Sequence, residues 1–117
     1  MNTIALAIHG GAGTLIKGMM TAELETYYKS VLKNALDLGY KILEANGTAV
    51  EAVEASVVAL EDSHLFNAGK GSVFTSDEKH EMDASIMEGK TLNAGAVSLI
   101  TGIKNPISLA RGVMEKS

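Results

Sequence analysis

The chain has 117 residues, room for one compact domain around one core. With 10 basic against 14 acidic residues the net charge is −4, and only 4% of residues are aromatic, which excludes the basic, aromatic-lined surface of a nucleic-acid binder. The absence of cysteine removes any disulfide framework, thiolate nucleophile or Cys-based metal site and fits a reducing compartment.

Thr3 to Ile8 reads as a short buried strand, apolar and β-branched at intervals. Its apolar run stops at His9, too short for a signal peptide or a membrane span, so a cytoplasmic protein is expected. His9-Gly10-Gly11-Ala12-Gly13 ends that strand. Its glycines let backbone N–H groups converge on an anion, but the spacing matches neither a phosphate loop nor a dinucleotide fingerprint. For His9, bracing of the turn is favoured over a general-base role. The histidines His9, His64 and His80 have no metal-ligand spacing, which argues against zinc.

After a loop from Thr14 to Met20, Thr21 is the expected N-cap of a long helix to about Ala45. Glu23 and Glu25 favour the positive end of its dipole. Leu24, Tyr28, Val31, Ala35, Leu38 and Ile42 form its apolar face. Asn46-Gly47 supplies a left-handed exit. Thr48 and Glu51 form a capping box for a second helix to about Glu61, buried through Val50, Val53, Val57 and Leu60 and antiparallel to the first. Glu61 and Asp62 are expected to be a solvated pair, since the dipole disfavours carboxylates at a helix C-terminus. The backbone carbonyls from Leu60 to Lys70 could instead converge on a hard cation.

Leu65-Phe66-Asn67-Ala68-Gly69-Lys70-Gly71-Ser72-Val73-Phe74-Thr75 places Asn67 beside two glycines, a loop suited to positioning a group. A tight bend leading into a strand is the competing reading. Ser72 to Thr75, Glu81 to Glu88 and Ala94 to Thr101 read as strands. Met82, Ala84 and Ile86 alternate with Asp83, Ser85 and Met87, and Ser76-Asp77-Glu78 and Glu88-Gly89-Lys90 are turns between antiparallel neighbours. For Asp83 a structural role is favoured over acid–base work. Asn105 as N-cap and Pro106 at the first helical position open a last helix toward Ser117, with Leu109, Ala110, Val113 and Met114 on its face. The order predicts an α+β fold in one domain, residues 1–117. The face of the last helix and the incomplete sheet both need further partners, as in a fragment or processed subunit.

Five segments in order resemble the plant-type asparaginase / isoaspartyl peptidase family: Ile8 to Gly13, Leu65 to Thr75, Glu81-Met82-Asp83-Ala84-Ser85-Ile86-Met87-Glu88-Gly89, Ala94 to Ser98, and Asn105 to Arg111. The resemblance implies an N-terminal-nucleophile hydrolase with an αββα sandwich, of which this chain holds an incomplete half, the N-terminal portion of the α subunit. It implies a precursor that cleaves itself into α and β chains, with the new N-terminal threonine as nucleophile and its own amine as base. The family's Gly-Thr-Val-Gly-Ala-Val junction is absent here, so the nucleophile lies outside this chain and the chain alone should be inactive. By the same resemblance Asn67 supports catalysis and His9, Gly10, Gly11, Ala12 and Gly13 line the active-site and processing region. Leu60, Glu61, Ser63, Phe66, Ala68 and Lys70 would hold a structural sodium ion through main-chain oxygens. No organic cofactor, nucleic acid or membrane is implied. The partners are the rest of the α chain and the β chain in an (αβ)₂ assembly. The substrates are L-asparagine and β-aspartyl (isoaspartyl) peptides, with a glycosylasparaginase or a truncated, non-catalytic α-like domain as alternatives.

Overall fold

The computed structural model describes residues 3–10, 21–63 and 82–116. The chain runs through α1 (Ala22–Glu44), α2 (Ala49–Glu61), β1 (Met82–Met87), β2 (Ala94–Ile100) and α3 (Pro106–Lys116). This is an α+β arrangement with a two-stranded antiparallel sheet. The predicted strand Ser72–Thr75 and the turn Ser76-Asp77-Glu78 lie outside the described residues.

Both long helices begin where the capping residues place them. The Thr21 hydroxyl accepts the Leu24 N–H at 3.0 Å. At Thr48 the capping box is complete: the hydroxyl accepts the Glu51 N–H at 3.1 Å, and Glu51 Oε1 accepts the Thr48 N–H at 3.0 Å. Asn46 takes the left-handed conformation, φ 67°, and the chain turns back. A side chain at Gly47 would collide with Ile42.

The two helices pack antiparallel, as expected from the short link. Ser56 of α2 meets Ala35 and Gly39 of α1, while Leu60 packs with Ala35 near Tyr28, Val31 and Leu32. The buried stripe on α1 departs from the predicted one at a single turn. Gly39 is buried and Leu38 is 41% exposed. Only a residue without a side chain fits against Ser56 and the Ala52 carbonyl, so the helix turns that position inward.

The N-terminal segment corrects the sequence reading. Thr3 to Ile8 is extended, but it is neither a buried nor a paired strand among the described residues. Ile4, Leu6 and Ile8 are half-buried and alternate with exposed Thr3, Ala5 and Ala7. Of the inward-turned residues, Leu6 lies beside Gly39 of α1 and Ile8 packs against Ala35 and Leu60.

The second core joins α2, the sheet and α3. Val50, Ile86, Ile107, Ala110 and Met114 form it, with Val53, Val57, Val58, Ala84 and Val97 packed around them. On α3 the buried face is Ile107, Ala110 and Met114. Of the predicted face, Leu109 and Val113 point outward, 39% and 42% exposed. Gly95 permits the close approach of α3, because a Cβ there would meet the Ala110 carbonyl and lie 2.9 Å from Met114 Cβ.

β1 alternates as predicted, with Met82 and Ile86 buried and Asp83, Ser85 and Met87 exposed. The ladder is interrupted: Met82 pairs with Ile100 but Ala84 pairs with Val97, so Ser98 and Leu99 both stand opposite Asp83. Leu99 is left-handed there, φ 53°, and its N–H donates to Asp83 Oδ1 at 2.8 Å. The expected structural role of Asp83 is therefore found on an exposed carboxylate that replaces a ladder acceptor. The connection between the strands is longer than Glu88-Gly89-Lys90. The Glu88 N–H closes on the Asn93 carbonyl at 2.8 Å, with Leu92 at φ 63°.

Candidate functional site

The candidate site gathers at the C-terminal end of α2, where Leu60, Glu61 and Ser63 lead toward the Asn67 segment. Asn67, Gly11, Ala12, Gly13, Phe66, Ala68 and Lys70 lie outside the described residues. His9 is exposed and Gly10 half-buried. Ile8, next to His9, packs against the cluster of Ala35 and Leu60, which brings the start of the glycine-rich segment and the start of the Leu60–Lys70 segment to the same end of α2.

Glu61 corrects the expectation of a solvated pair. Its side chain is buried, 2% exposed, whereas Asp62 is exposed. Glu61 Oε2 accepts the Ile107 backbone N–H at 2.9 Å, and Oε1 accepts from Asn105 Nδ2 at 3.1 Å. The same Asn105 nitrogen reaches Asp62 Oδ1 at 3.1 Å. The first turn of α3 thus receives its carboxylate acceptor from α2, while Asn105, the predicted N-cap, turns its amide nitrogen to the two acids. Burial pushes the Glu61 carboxyl above the usual glutamate value. The Ile107 N–H and the Asn105 amide pull it back, and the charges of Asp62 and Glu54 push it up further.

The sequence held one signal for this arrangement. Two acids at the negative end of a helix dipole are unfavourable unless another element supplies donors. An Asn-Pro helix start is such an element. A second link joins the same helices: Arg111 Nη1 binds Glu54 Oε1 at 2.7 Å and its Nε binds Glu115 Oε1 at 2.6 Å.

The end of α2 suits a hard cation in its donor set. A helix C-terminus directs carbonyl oxygens and the negative pole of the dipole outward. No basic residue stands in the last turn of α2 to neutralise it. The Val58 carbonyl takes the Asp62 N–H at 2.9 Å and the Leu60 carbonyl takes the Ser63 N–H at 3.1 Å, each bond occupying one of two lone pairs. Among the described residues no cluster of three or more His, Cys, Asp and Glu side chains could hold a metal. None of the described helices is long and apolar enough to cross a membrane.

Residues 2–117 match the family model described as Asparaginase, and the chain belongs to that family. It is 45% identical over 117 residues to the isoaspartyl peptidase of Escherichia coli, covering 100% of this chain and 36% of the relative. To the isoaspartyl peptidase/L-asparaginase of Xenopus laevis it is 48% identical over 112 residues, 96% of this chain and 35% of that one. To the plant-type L-asparaginase of Pyrococcus horikoshii it is 52% identical over 114 residues, 97% of this chain and 36% of that one. The chain therefore spans about a third of the length of these curated relatives.

Proposed function

We propose that this chain is the N-terminal portion of the α subunit of an enzyme that hydrolyses the side-chain amide of L-asparagine and β-aspartyl peptides. The observation that carries the reading is the family match over residues 2–117, together with 45% identity to an isoaspartyl peptidase along the whole chain. The nucleophile would be a threonine outside this chain, freed by self-cleavage and activated by its own amine. Asn67 would hold that nucleophile or the attacking water, with His9 to Gly13 lining the same region. The remainder of the α chain and the β chain would complete a cytoplasmic (αβ)₂ assembly.

The sandwich of the N-terminal-nucleophile hydrolases is part of the same proposal. In its support, α3 covers one face of the hairpin, with α2 packed alongside in the same core, while Asp83, Ser85, Met87, Ala94 and Ala96 on the other face are exposed. A sheet with one face under helices and one face open is what a second sheet would need.

The main-chain oxygens of Leu60, Glu61, Ser63, Phe66, Ala68 and Lys70 would hold a sodium ion, which when bound supplies a fixed positive charge that orders the loop and takes no part in the chemistry. The chain's own contribution there is the end of α2, whose last turn carries no basic side chain to offset the dipole.

The test is made on the protein expressed from its own gene. It should release ammonia from L-asparagine and aspartate from β-Asp-Leu, and separate into two chains on denaturing gels. A self-cleaved protein inert toward both substrates would overturn the substrate assignment.

A further inference from the structure

We infer that Asn46-Gly47 is a modification site of this chain: the pair converts to aspartyl and isoaspartyl linkages by ring closure, and the helix end around it holds that reaction back until the link between α1 and α2 opens. An asparagine followed by glycine is the pair in which the next backbone nitrogen meets least hindrance on its way to the side-chain carbonyl carbon. Asn46-Gly47 is the one such pair in the sequence. Among the other described asparagines, Asn34 and Asn93 precede alanine, and Asn105 precedes Pro106, whose nitrogen has no proton to lose.

In the reaction the Gly47 nitrogen loses its proton to water and attacks Asn46 Cγ. A C–N bond forms, the Cγ–Nδ2 bond breaks, and Nδ2 leaves as ammonia. Water then opens the cyclic imide at either carbonyl and leaves the chain joined through the α- or the β-carboxyl, one water consumed for each ammonia released. Asn46 is exposed, so water reaches it. The helix end opposes the first step. The Gly47 N–H donates to the Ile42 carbonyl at 2.8 Å and the Asn46 N–H to the Leu43 carbonyl at 3.1 Å, with Asn46 left-handed at φ 67°. Together these bonds make a full Schellman closure of α1. The attacking nitrogen is turned toward the helix and its proton is occupied. The following residue is anchored too, since Glu51 Oε1 accepts the Thr48 N–H at 3.0 Å. No bulkier residue can replace the glycine, because a Cβ at position 47 would meet Ile42 Cγ2 and lie 2.8 Å from the Ile42 carbonyl oxygen. The tight turn thus requires the residue that makes Asn46 reactive. An isoaspartyl link carries one more backbone carbon, which moves the Gly47 N–H away from Ile42. A link that opens long enough to react therefore does not close again in the same way.

The rival explanation is an asparagine whose rate is set by its sequence alone. The protein expressed from its own gene is kept folded at neutral pH beside a synthetic peptide of residues 41–52. Both are followed by peptide mass mapping, with isoaspartate scored by enzymatic methyl transfer. The peptide should yield a mixture of aspartate and isoaspartate at position 46. The folded protein should convert there at least about tenfold more slowly, as a reaction gated by local opening does. Thr48→Ala removes the cap of α2 and should speed conversion in the folded protein about fivefold, while a peptide with the same change keeps its rate. If Thr48→Ala does not fold, Ser56→Ala, which loosens α2 from α1, replaces it. The isoaspartyl fraction recovered from aged protein should melt below the unconverted fraction. Conversion of the folded protein at the peptide's rate would overturn the inference. So would an unchanged rate in Thr48→Ala or Ser56→Ala when its Tm has fallen, or equal melting of the two fractions. Aspartate without isoaspartate in the peptide would mean direct hydrolysis in place of ring closure and would overturn it as well.

Discussion

The Ser56 hydroxyl donates to the Ala35 carbonyl oxygen at 2.7 Å, a buried bond that joins α2 to α1. Next to it sits Gly39, where an added Cβ would meet Ser56 Oγ and lie 2.9 Å from the Ala52 carbonyl. Ser56→Ala should cost about 1 kcal/mol, the net worth of one hydrogen bond. Gly39→Ala should cost more, about 2 kcal/mol, because one of the atoms it meets is helix backbone that cannot rotate away. Urea unfolding of the two variants checks the order. Equal stability of Gly39→Ala and the unaltered protein would mean that the helices do not approach here.

Two glycines on either side of one contact should respond in opposite directions. Gly95→Ala presses on the Ala110 carbonyl and on Met114 N, 2.5 Å away, and should lift α3 from the sheet at a cost of about 2–3 kcal/mol. Gly112 of α3 has nothing within 4 Å of the position its Cβ would take. Gly112→Ala should therefore stabilise by about 1 kcal/mol through helix propensity. Thermal melts of both variants decide the matter by the sign of the Tm shift.

Acid should weaken the start of α2 through Glu51. Its carboxyl is held below the ordinary glutamate value, chiefly by the Thr48 N–H, with the Thr48 hydroxyl, and slightly by the charge of Arg111. A folded value below the unfolded one gives stabilisation that is present above the ordinary glutamate value and is lost as pH falls through the folded value. Glu51→Gln should flatten this part of the acid limb in a plot of Tm against pH. An unchanged limb would remove Glu51 as a contributor.

In the protein expressed from its own gene, Asn67→Ala should lower kcat about a hundredfold, the usual effect of losing one positioned donor, while Tm barely moves. A large fall in Tm with normal turnover of the folded protein would make Asn67 a structural residue.

What could be read in the sequence was whatever local chemistry decides. Thr21, Thr48 and Glu51 set the helix starts because capping involves residues within one turn, and the alternation of Met82 to Met87 set the inward face of β1. Relations between distant residues were not legible. Glu61 looked like a surface acid because its donors lie 44 and 46 residues away. Leu38 seemed to belong to the α1 stripe until Ser56 made Gly39 the better neighbour. Of the candidate site, the family segments marked the region, but the carboxylate that joins α2 to α3 required the fold.

The extra residue opposite Asp83 acts as a frame shift in the pattern of the hairpin. Gly95 and Val97 turn toward α3, and strict alternation would send Leu99 after them; instead Leu99 stays outside, 69% exposed, and Ile100 takes the inward turn. Counting in twos from Gly95 therefore gives the wrong parity for everything beyond Val97. A deletion of Leu99 would restore the count without moving Ile100 off its face, whereas a deletion within Ala94 to Val97 would turn the strand inside out. The hairpin can thus lose a residue at one place, and the Asp83 carboxylate marks it.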